Sequence, residues 1–188
     1  KPGGMLTYGI PSYKLEKDVV EEEIDIIRAL GVEIKCGVEV GKDITLDELR
    51  KDGYEAFYIA IGCQGSRKSG VAGEDADGVM SAVDILHEIA ENHDLDLKGN
   101  KTVVIGGGNV AVDVARSTKR CGADVLGMFC LESREEMPAS EEEIFETEDE
   151  GIQINNGWGV KEILAENGKV TGVVLKKCTS VKDADGKF

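Results

Sequence analysis

Between Lys101 and Arg120 the sequence KTVVIGGGNVAVDVARSTKR sets a short apolar run against three glycines and then a helical repeat. Val103, Val104 and Ile105 form the continuous apolar run expected of a strand buried on both faces of a parallel sheet. Gly106, Gly107 and Gly108 follow at once. Val110, Ala111, Val114 and Ala115 then recur at helical spacing, and Gly122 is placed as a C-cap. Strand, glycine turn and helix in that order predict a parallel βαβ unit, because parallel strands need a crossover to join them.

Gly106, Gly108 and Ala111 match a G-x-G-x-x-G/A fingerprint in the strand–helix context that gives it meaning. Gly106 permits a tight exit from the strand. Gly108 leaves room for a pyrophosphate against the backbone, and Ala111 lets the helix pack closely on the strand. The free N–H groups and the positive end of the helix dipole then attract the diphosphate. The candidate cofactor-binding residues here are therefore Gly106, Gly107, Gly108, Asn109, Val110 and Ala111.

A chain of 188 residues can form one large domain or two small ones. Its 37 acidic against 22 basic residues, a net charge of −15, argue against nucleic acid or an anionic membrane surface as partner. The acid concentrates in Glu141–Glu150 and Glu21–Glu23, read as solvated helix faces. Cys36, Cys63, Cys121, Cys130 and Cys178 are odd in number, and no two form C-x-x-C. They signal neither a metal or iron–sulfur site nor a redox disulfide, and most are expected to be small buried hydrophobes. With no signal peptide and no apolar run long enough to cross a bilayer, a reducing, cytoplasmic setting fits. The opening Lys1-Pro2-Gly3-Gly4 lacks a Met and reads as the start of an excised piece.

Upstream, Leu15, Val19, Ile26, Ile27 and Leu30 make a helical stripe that Gly31 ends. Strands are predicted at Val32–Cys36, Val38–Val40 and Tyr54–Ile61, with Thr45 and Glu48 as a capping box between the last two. The Gly-, Ser- and Asp-rich stretch Gln64–Gly78 is the best domain boundary. Ser81 starts a helix running through Ala90. After the central helix, Asp124–Cys130 reads as the second strand of the βαβ unit, and Ser140 with Glu143 as a second capping box. Ile152–Asn155, Gly159–Ala165 and Lys169–Lys177 are read as a three-strand β-meander, with Asn167-Gly168 a hairpin turn. The class is α/β: a Rossmann-like βαβ dinucleotide-binding domain with a three-strand meander.

The segments GGMLTYGIPSYKL (Gly3–Leu15), VGKDIT (Val40–Thr45), YIAIG (Tyr58–Gly62), VVIGGGNVAVDVAR (Val103–Arg116) and SREEMPAS (Ser133–Ser140) resemble, in order, the glutamate synthase small-subunit family of FAD- and NAD(P)-dependent oxidoreductases. The resemblance implies residues 1–75 as a partial FAD-domain segment and 76–188 as the NAD(P)-binding domain. It places Gly4, Met5 and Leu6 near a flavin ring, Val40 at the adenine through its backbone, and Ala60, Ile61 and Gly62 at a turn beside the FAD. Ile61 stands where the family has Thr. Further FAD-binding segments of a parent chain, and an iron–sulfur or large-subunit electron-transfer partner, are implied as well.

In that family the cofactors carry the chemistry, hydride transfer between NAD(P)H and FAD, and no catalytic acid or base is required. His87 and His93 read as surface residues, Asp113 and Arg116 as an intrahelical pair, and Cys63 as structural. Tyr13 and Lys17 mimic a short-chain dehydrogenase relay but precede the glycine loop, so the match is chance. A βαβ fold reads its ribose at the end of the second strand: an acidic residue there bonds the 2′-OH of NAD, an Arg accommodates the 2′-phosphate of NADP. The family typically has an Arg-Arg pair at this point; here it is Leu131-Glu132, near the roughly 20-residue spacing of the fingerprint after Gly108. Arg134 lies within reach of a 2′-phosphate. The carboxylate favours NAD(H) over NADP(H). The leading reading is thus the nicotinamide-dinucleotide module of a flavin-dependent oxidoreductase; a nucleotide-binding or scaffold module without redox chemistry is the alternative.

Overall fold

The computed structural model describes residues 1–182, so the end of the second expected domain lies outside the described residues. Two compact units part between Gly65 and Ser66, inside the Gln64–Gly78 stretch. Among the described residues no helix is long and apolar enough to cross a membrane.

The first unit contains α1 (Met5–Tyr8), α2 (Lys17–Ala29) and α3 (Leu46–Lys51). Helix α2 stops one residue before Leu30, with Gly31 at φ 87° beyond it. Its buried residues are Val20 and Ile24, not the expected stripe: Val19, Ile26, Ile27 and Leu30 are exposed, Leu30 by 79%. The four-residue α1 is too short to cover more than one narrow strip of α2, and Val20 and Ile24, a turn apart, lie on that strip. Lys17 has a packing role, donating from Nζ to the carbonyls of Leu6 and Ile10 around the end of α1. Burial pulls its pKa down. The Thr45–Glu48 capping box forms in full: Thr45 Oγ1 accepts from the Glu48 N–H, and the Glu48 carboxylate from the Thr45 N–H. The Thr45 hydroxyl, donating to the Glu48 carboxylate at 2.7 Å, and then the Thr45 N–H hold that carboxyl below its usual range.

The strands expected at Val32–Cys36, Val38–Val40 and Tyr54–Ile61 do not form. The first two leave only an isolated bridge, Val40 to Ile44. A strand is stabilised by a ladder and a covered face, and Tyr54–Ile61 has neither among the described residues. Tyr58 and Ile61 are 95% and 85% exposed.

The second unit runs α4 (Ala82–Glu91), β1 (Lys101–Ile105), α5 (Asn109–Arg120), β2 (Asp124–Cys130), α6 (Glu141–Asp149), β3 (Ile154–Asn156), β4 (Trp158–Glu166) and β5 (Lys169–Lys177). It has the α/β class read from the sequence. The expected meander divides, however. β3 joins β1 and β2 in a parallel sheet of order β1-β2-β3, while β4 and β5 form a separate antiparallel hairpin. The intervening α6 gives β3 the crossover that parallel pairing needs. Asn167 and Gly168, at φ 51° and 81°, make the two-residue turn their sequence predicts.

Sequential strand order with a helix in each crossover puts α5 and α6 side by side on one sheet face. There Val104, Met128 and Cys130 meet Val112, Ala115, Ile144 and Ile152, with Ile85 and Leu86 of α4 closing the cluster. Met128 and Ile144 are essentially inaccessible, each burial contributing about 1.5–3 kcal/mol. Helix α5 is enclosed from Val112 through Thr118. Val110, expected on the buried stripe, is instead 51% exposed at the first turn, and Val112 packs in the core. Of the cysteines only Cys130 is buried; Cys121 and Cys178 are half-buried, and Cys36 and Cys63 are exposed, so the buried-hydrophobe reading does not hold for most of them. The segments carrying Cys36 and Cys63 lack the sheet that would have covered them.

Candidate dinucleotide site

β1 runs straight into the glycine turn: the Gly106 N–H donates to the Phe129 carbonyl at 2.9 Å, extending the parallel ladder by one step. Gly106 takes φ +139°, and a Cβ there would sit 3.1 Å from the Ala111 methyl. The first glycine and the alanine are thus small for the same reason, the close approach of α5 to β1. Gly107 is buried, and a Cβ on it would meet Cys130 Cβ at 2.9 Å and Glu132 Oε2 at 3.0 Å. Gly108 differs from both. It caps α5 in extended geometry, φ −94° and ψ 171°, and a Cβ on it would find nothing nearer than Pro138 Cγ at 3.8 Å. The space over Gly108 is open.

Helix α5 starts at that opening with no side-chain cap and no acidic residue in its first turn, while Lys119 and Arg120 occupy its last. Its N-terminal N–H groups and dipole are therefore available to an anion, and a diphosphate fits this turn. Asn109 and Val110 lie exposed at its mouth. From the far side, the Ala139 N–H donates to the Gly107 carbonyl at 3.1 Å and the Ser140 N–H to Asn109 Oδ1 at 3.0 Å. The second bond explains why Ser140 caps α6 with its hydroxyl, accepting from the Glu143 N–H at 3.4 Å, without the reciprocal half of the predicted capping box. Its own N–H is already engaged by Asn109.

Glu132 lies just past β2 with its carboxylate against Gly107. Arg134 is exposed and its Nη2 donates to Glu148 Oε2 at 3.4 Å, beside a cavity of about 290 Å³ lined by Leu131, Ser133, Asn156 and Lys177 among others. Beneath the turn, burial and the charge of Glu132 push the Cys130 thiol up. Sequence reasoning passed over Cys130, Asn156 and the docking of Met137–Ser140 on the turn. No spacing rule connects residues on three different strands and loops; the apolar end of β2 gave the only hint, for Cys130.

Arg116, read as an intrahelical partner of Asp113, reaches across to α6. It pairs with Glu146, donates from Nε to Glu150 Oε1 at 2.8 Å and stands 3.8 Å from Glu143. Glu150 also accepts from Arg120 at 2.7 Å. His87 and His93 are exposed.

In the first unit, the residues implied for FAD fall at three places. Gly4 caps α1 ahead of Met5 and Leu6, Val40 sits at the isolated bridge, and Ala60, Ile61 and Gly62 lie in the partnerless extended stretch. Met5, Leu6, Val40 and Ile61 all expose apolar surface.

The family described as pyridine nucleotide-disulphide oxidoreductase matches residues 3–188. The chain belongs to this family. Among curated relatives of this pyridine nucleotide-disulphide oxidoreductase chain, the NADP(+)-dependent formate dehydrogenase subunit beta of Moorella thermoacetica is 40% identical over 96% of the chain. The Glutamate synthase [NADPH] small chain of Escherichia coli is 34% identical over 98%, in keeping with the resemblance read from the sequence. The chain spans 25% and 41% of those two proteins. A solved structure, Mycobacterium tuberculosis FprA in complex with NADPH, superimposes with a TM-score of 0.75 at 19% identity, covering all of this chain and 57% of that one, a likeness of fold.

Proposed function

We propose that this chain is the nicotinamide-dinucleotide module of a flavin-dependent oxidoreductase, passing hydride between a dinucleotide and FAD. The observation that carries the reading is the open space over Gly108 at the uncapped start of α5, with the Glu132 carboxylate beside it. When bound, nicotinamide and flavin supply the hydride chemistry themselves, and the protein binds and orients them. Gly106–Ala111 would hold the diphosphate, and Glu132 the ribose. The first unit is read as part of an FAD domain, with Gly4–Leu6, Val40 and Ala60–Gly62 offering the exposed apolar surface and open glycine backbone that a flavin would cover. We read the change of cofactor domain near residue 75, although the compact units part between Gly65 and Ser66, and the remaining FAD segments and an electron-transfer subunit as the partners. The scattered cysteines suit the reducing cytoplasm.

Both of these relatives are named for NADP(+) or NADPH. For this chain we favour NAD(H). A carboxylate against the glycine turn accepts from a ribose 2′-OH and repels a phosphate dianion. Arg134, which could favour the phosphate, is engaged with Glu148. Thermal melts with each cofactor at equal ionic strength test both parts. Saturation at about a hundredfold over Kd raises stability by about 2.7 kcal/mol. The expected result is a larger shift with NADH than with NADPH, inverted by Glu132→Arg. Flat melts with both would overturn the module; a larger NADPH shift would overturn the preference.

A further inference from the structure

A carboxylate at the end of β2 can select a ribose only if it is held in one place, and Glu132 lies on a loop. Its anchoring comes from β3. The Glu132 carbonyl accepts two hydrogen bonds, from the Gly157 N–H at 3.1 Å and from the Asn156 amide at 3.2 Å. The same Asn156 Nδ2 donates to Cys130 Sγ at 3.2 Å, and that thiol points back at the Glu132 carbonyl at 3.8 Å. Cys130 and the Glu132 carboxylate are also the two groups that a Cβ on Gly107 would meet. Asn156 is therefore bonded to both walls of the slot in which the glycine turn lies. Its position at the last parallel pairing of β3, opposite Cys130, fixes the amide beneath the strand end.

We propose that Asn156 is a positioning residue for cofactor choice, holding the Glu132 backbone so that the carboxylate stays over Gly107. The proposal rests on the reading of Glu132 as the ribose contact. Loss of the amide leaves the Glu132 carbonyl on the Gly157 N–H and the more distant Cys130 thiol, loosens the loop, and lets the carboxylate leave the turn in a fraction of molecules. The affinity for NADH then falls, and so does the repulsion of a 2′-phosphate. A merely structural residue would lower stability and weaken both cofactors alike.

The test measures NADH and NADPH dissociation constants for the full chain with wild-type sequence and as Asn156→Ala, Glu132→Gln and the double variant. NADH binding by Asn156→Ala should weaken about tenfold, with NADPH binding unchanged or tighter. The double variant should bind NADH no more weakly than Glu132→Gln alone, since both substitutions remove one interaction. Asn156→Gln, which keeps an amide donor, should recover part of the preference. If Asn156→Ala does not fold, Asn156→Ser carries the same expectations. A wild-type preference for NADH that persists undiminished in Asn156→Ala overturns the positioning role alone. Additive losses in the double variant do the same. Tighter NADPH than NADH binding in the wild-type chain overturns the cofactor assignment, and the positioning role falls with it.

Discussion

The three glycines of the turn are equivalent in a motif and different in the molecule. Gly106 is set by its backbone angle, Gly107 by what lies under it, and only Gly108 by open space. That separates two substitutions usually treated as alike. Gly107→Ala forces a methyl against Cys130 and Glu132, and overpacking of this kind costs about 1–3 kcal/mol. Its urea midpoint should drop even without ligand. Gly108→Val has room in the free protein and an extended backbone that tolerates branching. It should melt close to wild type yet bind no dinucleotide by calorimetry, because its methyls fill the space over the turn. Unchanged affinity in Gly108→Val would remove the phosphate site from this loop.

At the level of elements, α5 and α6 are bound together by charge. Arg116, with a side chain only 7% exposed, faces two α6 carboxylates, Glu143 and Glu146, and the C-cap Glu150, to which Arg120 adds a second cation. Removing one partner of a buried set leaves the others uncompensated, so Arg116→Ala should lower stability by about 3 kcal/mol in urea titration. Burial pushes the Glu150 carboxyl up, but the hydrogen bonds from Arg120 and Arg116 hold it below its usual range. A depressed carboxyl contributes stability above its unfolded pKa of about 4.3 and loses it as pH falls through the folded value. The acid limb of the stability curve should therefore be less steep in Arg116→Ala. A second joint is the approach to α4: the Ile163 N–H donates to the Ala72 carbonyl at 2.9 Å, and Asp77 bonds Gly168 and Val170. Gly73, at φ +85°, has the Ile163 carbonyl oxygen 2.1 Å from where a Cβ would stand, so Gly73→Ala should speed hydrogen exchange at the Ile163 amide. These elements also show what the sequence carried. The β1–α5–β2 unit, the Thr45 and Ser81 caps and the Asn167 turn were legible because each is dictated by neighbours in the chain. The pairing of β3 with β2 was not, since three residues of which only Ile154 is apolar do not name a partner. Nor was the reach of Arg116, 34 residues from Glu150.

Across the whole molecule, burial is unevenly shared. The apolar cluster lies in the second unit, whereas the first buries little beyond Thr7, Val20 and Ile24. Native-state hydrogen exchange should accordingly find the amides of β1, β2 and α5 the slowest and those of Val32–Cys36 and Glu55–Gly62 near the unprotected rate. Protection in Tyr54–Ile61 equal to that of β1 would contradict this ordering. The docking of Met137–Ser140 on the glycine turn has a consequence for anyone recombining such proteins. The backbone of Gly107 and the side chain of Asn109 are each held by residues some thirty positions later, on the far side of β2. A chimaera that imports Gly106–Asn109 from another member, but keeps this chain's Met137-Pro138-Ala139-Ser140, joins two halves of one clasp cut from different patterns. Crossover points placed before Lys101 and after Ser140 transplant the clasp whole; one placed between Asn109 and Ala139 breaks it.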